Sequence, residues 1–140
     1  MPRLDLCAHP TIQVLDLIFD YEQWRVINFY HDIRDDTSRR TLLALDIDAV
    51  IPTLVIGDFN THSREWSPPD IPLSPWTRGI EDWADANLLT LANTPGEITR
   101  KGTDRERDSV LDLAWLNGAA VQNETFTDLR VCLLYTSRCV

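Results

Sequence analysis

Residues Leu54 to Trp66 read LVIGDFNTHSREW, and this stretch constrains the fold more than any other. Thr53 to Ile56 read as a short buried strand that drives into Gly57. A strand ending in Gly-Asp delivers a carboxylate to the rim of a sheet, where open α/β folds place their sites. Gly57 removes a side chain where something must approach closely. Alternation then sets Asp58 and Asn60 on one side and turns Phe59 into the core. An ionised acid beside a neutral amide suits phosphodiester cleavage: the carboxylate orients and deprotonates a water, and the amide holds a phosphate oxygen. The same residues also spell an Asx-turn, and Asp-Phe-Asn alone favours that plainer reading. An EF-hand calcium loop fits less well still, because Ser63 and Pro69 stand where it needs a glycine and a glutamate.

The rest of the chain supplies strands and helices in mixed order. Thr11 to Phe19 and Trp24 to Tyr30 read as neighbouring strands, with Asp20-Tyr21-Glu22-Gln23 as the turn of an antiparallel hairpin. Leu42, Leu45 and Ala49 recur at helical spacing after a Ser/Thr cap at Thr37 or Ser38, and Pro52 ends that segment. Ser63 to Pro75 holds four prolines and no periodicity, so it is loop. Ile80, Trp83, Leu88 and Leu91 share one helical face, with Glu81, Asp82 and Asp85 outside it and suited to the helix dipole. Asn93 to Gly96 is a turn, Glu97 to Arg100 a short strand, and Ser109 to Leu116 a longer one. The fold class expected is α/β, a mixed or antiparallel sheet covered by helices.

Two further candidates lie on these strands. Asp112 sits among apolar neighbours in SVLDLAWL, and a half-buried acid needs a partner, either a histidine or a metal shell. By itself, an edge-strand acid facing water is the better reading. Asn28 and Tyr30 share one face at a strand end, and a phenol there can donate to a phosphate oxygen. A tyrosine capping the core with its hydroxyl in water is the common alternative.

The net charge of −9 is not the footprint of a protein held to DNA by bulk electrostatics, and it leans toward a metal-dependent enzyme. Arg100, Lys101, Arg105 and Arg107 form a basic cluster, but acids interrupt it and it reads as a solvated mixed-charge loop. Three scattered cysteines give neither a disulfide framework nor a zinc site. No apolar stretch approaches a membrane span, so an intracellular protein without a membrane partner is expected. The sequon at Asn123 reads as surface loop.

Taken together and in order, HPTIQVLDLIF, RVINFYHD, LVIGDFNTHSREW and TRKGTDRERDSVLDLAW resemble the endonuclease/exonuclease/phosphatase family. The nearest likeness is to the endonuclease domain of fungal-type non-LTR retrotransposons, over roughly Leu4 to Thr127. The resemblance implies a four-layer α/β sandwich of two facing sheets flanked by helices. It implies nicking of DNA phosphodiester bonds by hydrolysis with Mg²⁺ (or Mn²⁺), a linked reverse transcriptase domain and a nuclear location. Residue by residue, it assigns Tyr30 to the scissile phosphate, Asp58 to the attacking water and to metal binding, and Asn60 to the phosphate or transition state. Asp112 is assigned to orienting a catalytic histidine, while Asn28, Thr99 and Ser109 are assigned to substrate. His62 and Trp66 match a branch signature and carry no assigned chemistry.

The family also carries an early-strand metal glutamate and a closing Ser-Asp-His. Neither has a counterpart in this sequence, where His9, His31 and His62 all precede Asp112. Residues 1–131 are therefore expected to form a partial domain, with 132–140 a non-native tail whose CLLYTS matches one frame of a sequencing adaptor. Two rival readings stand beside the nuclease. One is an inactive fold remnant or binding module, and the other is a phosphatase or lipid phosphodiesterase of the same family.

Overall fold

The computed structural model describes residues 1–123. The described elements run β1 (Ile12–Phe19), β2 (Glu22–Tyr30), α1 (Asp36–Leu43), β3 (Thr53–Asp58), α2 (Thr77–Ala86), β4 (Thr90–Leu91), β5 (Asp112–Leu116) and α3 (Gly118–Val121). The strands form one mixed sheet in the order β1-β2-β3-β5-β4. Only the β2–β3 pair is parallel; the other three are antiparallel. A parallel pair needs a crossover, and the segment carrying α1 provides it. The α/β class and mixed sheet expected from the sequence are thus observed, and the described residues hold a single sheet.

Helices α1 and α2 cover one face. Ile27, Phe29, Val55, Leu113 and Trp115 pack there with Leu42 of α1, Ile80 and Trp83 of α2, and the loop residues Phe59 and Trp66. Phe29, Phe59 and Trp66 are fully buried, and truncating any one to alanine costs about 3–5 kcal/mol. A smaller cluster of Trp24, Leu54, Ala114, Leu116 and Ala120 lies apart from it, with Ile56 packed against it.

Several element boundaries differ from the sequence expectation. The hairpin turn is two residues, Asp20 and Tyr21, both with positive φ (47° and 67°), while Glu22 and Gln23 pair with Phe19 and Ile18. Two residues at positive φ match the right-handed twist of the flanking strands, which a longer turn need not do. Helix α1 is capped by Asp35, whose carboxylate accepts from Thr37 N at 3.0 Å, and not by Thr37 or Ser38. The helix ends at Leu43, so Leu45 and Ala49 lie beyond it. Helix α2 stops at Ala86, because Asn87 caps it and Leu88 turns to φ 53°. Leu88 is consequently exposed and Leu91 joins β4. Its first turn holds no acid, contrary to the dipole expectation.

The segment Glu97–Arg100 makes only an isolated bridge, Arg100 to Ser109, and β5 begins at Asp112. Side chains supply part of what the missing ladder would. Asn93 Nδ2 donates to Asp112 O and its Oδ1 accepts from Ala114 N, both at 2.9 Å, which extends β4 along β5. Asn117, fully buried, accepts from Thr53 N and Ala120 N and donates to Asp48 O and Ile51 O, tying the end of β5 to the start of β3. The expected boundary at 131 and the tail 132–140 lie outside the described residues.

Candidate active site

Three of the expected site residues fall into one row across the sheet. Tyr30 ends β2, Asp58 ends β3 and Asp112 begins β5. Tyr30 is the register partner of Asp58, and Asp58 is the register partner of Asp112. In-register neighbours project from the same face, so a phenol and two carboxylates stand side by side at one edge. The row lies on the face opposite α1 and α2, because its alternation is that of Leu54 and Ile56, not of Val55. Asn28 shares this face, opposite Ile56 and one step inward from Tyr30, and is exposed.

The chain passes the row by a sharp change of direction. Gly57 has φ 144°, and a Cβ there would lie 1.9 Å from Phe29 O. The close approach inferred for this glycine is therefore that of the β2 backbone. Asn60 adopts φ 43°, so strand alternation does not reach it. Its N–H donates to Asp58 Oδ1 at 2.9 Å, which is the Asx-turn. Its Nδ2 donates to His31 O at 2.9 Å, leaving the second amide hydrogen for another acceptor. The turn and the catalytic reading are thus compatible, since the turn is what holds the amide beside the carboxylate.

Thr99 and Ser109 sit behind Asp112. Thr99 Oγ1 accepts from Leu111 N at 3.0 Å and Asp112 N at 3.1 Å, so the hydroxyl fixes the backbone that carries the acid. Ser109 is buried, and its carbonyl accepts from Thr99 N and Arg100 N. Ser109 also borders a cleft of about 440 Å³ shared with Asn60, His62, Trp76 and Arg100. A second cleft, of about 480 Å³, adjoins the other side of the row and is lined by Tyr30, Asn28, Gln13, His9 and Cys7.

Burial dominates the electrostatics of the row. Burial raises the Asp58 carboxyl above its usual range, opposed by the Asn60 N–H and the charge of Arg100. Burial likewise raises Asp112, and the neighbouring charge of Asp58 raises it further. Among the described residues the Asp112 carboxylate accepts no hydrogen bond and faces no histidine. Two half-buried like charges in register are destabilising unless something offsets them. Paired carboxylate oxygens of this kind fit a divalent cation such as Mg²⁺, which takes one or two carboxylates together with phosphate and water. No group of three or more acidic, histidine or cysteine side chains placed to hold a metal ion occurs among the described residues.

The branch-signature residues are structural here. Trp66 Nε1 donates to Thr61 O at 2.8 Å, and its ring meets Trp115 edge-on. The His62 backbone anchors the proline-rich loop through Ser74 and Thr77, and burial lowers the pKa of its ring. Sequence reasoning missed His31 and Asn93. Neither sits at a spacing that marks it, because each acts by reaching backbone atoms distant in sequence.

A mixed α/β sheet thus gathers tyrosine, aspartate and asparagine at the ends of its central strands. The family model described as endonuclease-reverse transcriptase matches residues 24–134, and the chain belongs to that family. The fold is similar to the solved endonuclease domain of TRAS1, a telomere-specific non-LTR retrotransposon, with a TM-score of 0.65 at 14% identity. The likeness covers 82% of this chain and 52% of that one, so the chain spans about half the length of that domain. No curated protein sequence matches the chain. Family and fold agree with the resemblance carried by the motifs.

Proposed function

We propose that this chain carries part of a retrotransposon endonuclease domain that nicks DNA by hydrolysing a phosphodiester bond. The observation that supports it is the in-register row Tyr30–Asp58–Asp112 with the Asn60 amide at its rim. Tyr30, half exposed, donates its phenol to a phosphate oxygen. Asp58 orients the attacking water and takes its proton, a task that a pKa raised toward the working pH favours. The free hydrogen of Asn60 Nδ2 stabilises the charge that develops on the phosphoryl oxygens. Thr99 holds the Asp112 backbone and, with Ser109 braced against it, lies close to substrate, while Asn28 extends the contact surface along β2. Asp58, with Asp112 beside it, would hold Mg²⁺ or Mn²⁺, which when bound polarises the phosphoryl oxygen. A linked reverse transcriptase and a nuclear location belong to the same reading. No helix among the described residues is long and apolar enough to cross a membrane.

The test is nicking of supercoiled plasmid in Mg²⁺, with EDTA and Asp58→Ala as controls, alongside thermal melts with and without Mg²⁺. Expected are nicking and a Mg²⁺-dependent rise in Tm, both lost in Asp58→Ala. Cleavage that survives Asp58→Ala would overturn the assignment. DNA binding with neither cleavage nor a Mg²⁺ shift would favour the non-catalytic module. That reading draws on the Asp112 carboxylate, which no described histidine faces.

A further inference from the structure

His31 follows Tyr30 directly and is 1% exposed, yet it belongs to none of the roles above. Three of its polar groups engage three consecutive residues of the turn that follows β3. Its backbone N–H donates to Asp58 O at 2.8 Å. Its ring Nδ1 lies 2.8 Å from Phe59 O. Its carbonyl accepts from Asn60 Nδ2 at 2.9 Å. A carbonyl can only accept, so Nδ1 carries the proton and the tautomer is fixed. The ring is itself held, stacked on Phe29 at 5.8 Å and met edge-on by Trp76 at 5.1 Å. The segment it grips is one that needs holding, since Gly57 and Asn60 both lie at positive φ on either side of Asp58 and Phe59.

We propose that His31 is a positioning residue that locks the Asp58–Asn60 turn through its Nδ1–H, and so sets the amide of Asn60 and the carboxylate of Asp58 relative to Tyr30. The role rests on the endonuclease reading for its catalytic consequence, though not for its geometry. The backbone bond from His31 N–H to Asp58 O keeps β2 and the turn adjacent in any variant. The ring bond adds orientation, because Phe59 O lies between the two reacting residues in sequence. Losing it lets the peptide rotate and carries the Asn60 amide away from its acceptor. A misplacement of that size at a reacting group costs rate more than it costs fold.

Two substitutions separate orientation from packing. His31→Phe keeps an aromatic ring between Phe29 and Trp76 but has no donor. His31→Asn places an amide nitrogen near the Nδ1 position but forfeits the ring packing. If His31 only fills the core, His31→Phe outperforms His31→Asn in every measurement. If it positions the turn, His31→Phe melts higher while His31→Asn better preserves the turn. The primary readout is NMR of the protein with ¹⁵N in its histidine rings and asparagine amides. Expected are an Nδ1–H tautomer at His31 and a slowly exchanging Asn60 side-chain amide. Exchange of that amide should rise by about tenfold or more in His31→Phe and recover in His31→Asn. Nicking by His31→Phe should fall about tenfold to a hundredfold in kcat with KM little changed, and recover in part in His31→Asn. An Nε2–H tautomer, or Asn60 exchange that simply follows melting temperature, would overturn the proposal. If the wild type shows the tautomer and the protected amide but cuts no DNA, the endonuclease reading fails and the lock stands.

Discussion

Asp58 and Asp112 stand side by side in register on β3 and β5, and the charge of Asp58 adds to the burial that raises Asp112. Removing one charge should therefore stabilise the protein while abolishing the proposed chemistry. Asp58→Asn is expected to gain up to about 1 kcal/mol in urea denaturation and to return the Asp112 carboxyl toward its usual range. An NMR titration of Asp112 in that variant checks the second effect; an unchanged Asp112 would mean that burial alone raises it. Gly57→Ala should act in the opposite sense. Its Cβ would overlap Phe29 O at 1.9 Å, and φ 144° is strained for any side chain. The strain alone costs about 1–3 kcal/mol and the overlap adds to it, so denaturation should show a large loss or no folded protein. Tyr30 and Asp58 were legible at the ends of strands with strong apolar patterning, whereas Asp112 stood out only as an acid among apolar residues inside a strand expected over 109–116, and that strand begins with it. The sequence made Gly57 legible as a close approach but not the identity of what approaches. Asn60 escaped the alternation rule because an asparagine tolerates φ 43°, and once it turns there, period-two reasoning stops applying.

At the scale of elements, β1, β2 and β3 were readable, while β4, the start of β5 and the ends of helices were not. Periodicity reports which residues face a core, but it does not report whether Leu45 or Leu91 reaches that core from a helix, a loop or a strand. Leu45 packs against the core from beyond α1, and its carbonyl accepts from Trp83 Nε1 at 2.9 Å. Leu88 has helical spacing and is 77% exposed, because Asn87 has already ended α2 by donating back to Trp83 O. Such terminations depend on side chains meeting backbone from another part of the chain, as when Ile47 N donates to Asn87 Oδ1. The β1–β2 hairpin offers a direct test of one boundary. Tyr21 is fully exposed at φ 67°, so its ring contributes no packing while its Cβ strains the turn. Tyr21→Gly should stabilise the protein by about 1 kcal/mol, read as a raised denaturation midpoint with an unchanged m-value. A loss of stability would show that the turn is held by something other than backbone conformation.

Over the whole molecule, two sets of buried titratable groups give stability opposite dependences on pH. His31 and His62 have pKa values pushed below 6.5, chiefly by burial. Below 6.5 the unfolded chain binds protons that the folded chain refuses, so stability falls as pH drops from that value toward the folded pKa values. Asp58 and Asp112 are raised above 3.8, so just above 3.8 the folded chain binds the extra protons. Their contribution falls as pH rises from 3.8, as the cost of the paired charges sets in. Asp16 has the reverse sign to those two. Bonds from Arg25 and then Arg3 hold it at about 2, and the stability it lends is lost as pH falls from 3.8. Urea denaturation from pH 7.5 to 5 should therefore show a decline that begins near 6.5. His31→Asn should flatten that decline, since one of the two refusing groups is gone. Asp58→Asn should leave it in place and reduce the fall expected above 3.8, the part due to burial of Asp112 remaining. Mg²⁺ should act like Asp58→Asn on the wild type at neutral pH, because a bound cation offsets the same pair of charges. If Mg²⁺ stabilises wild type and Asp58→Asn equally, the cation binds elsewhere and the row is not its site.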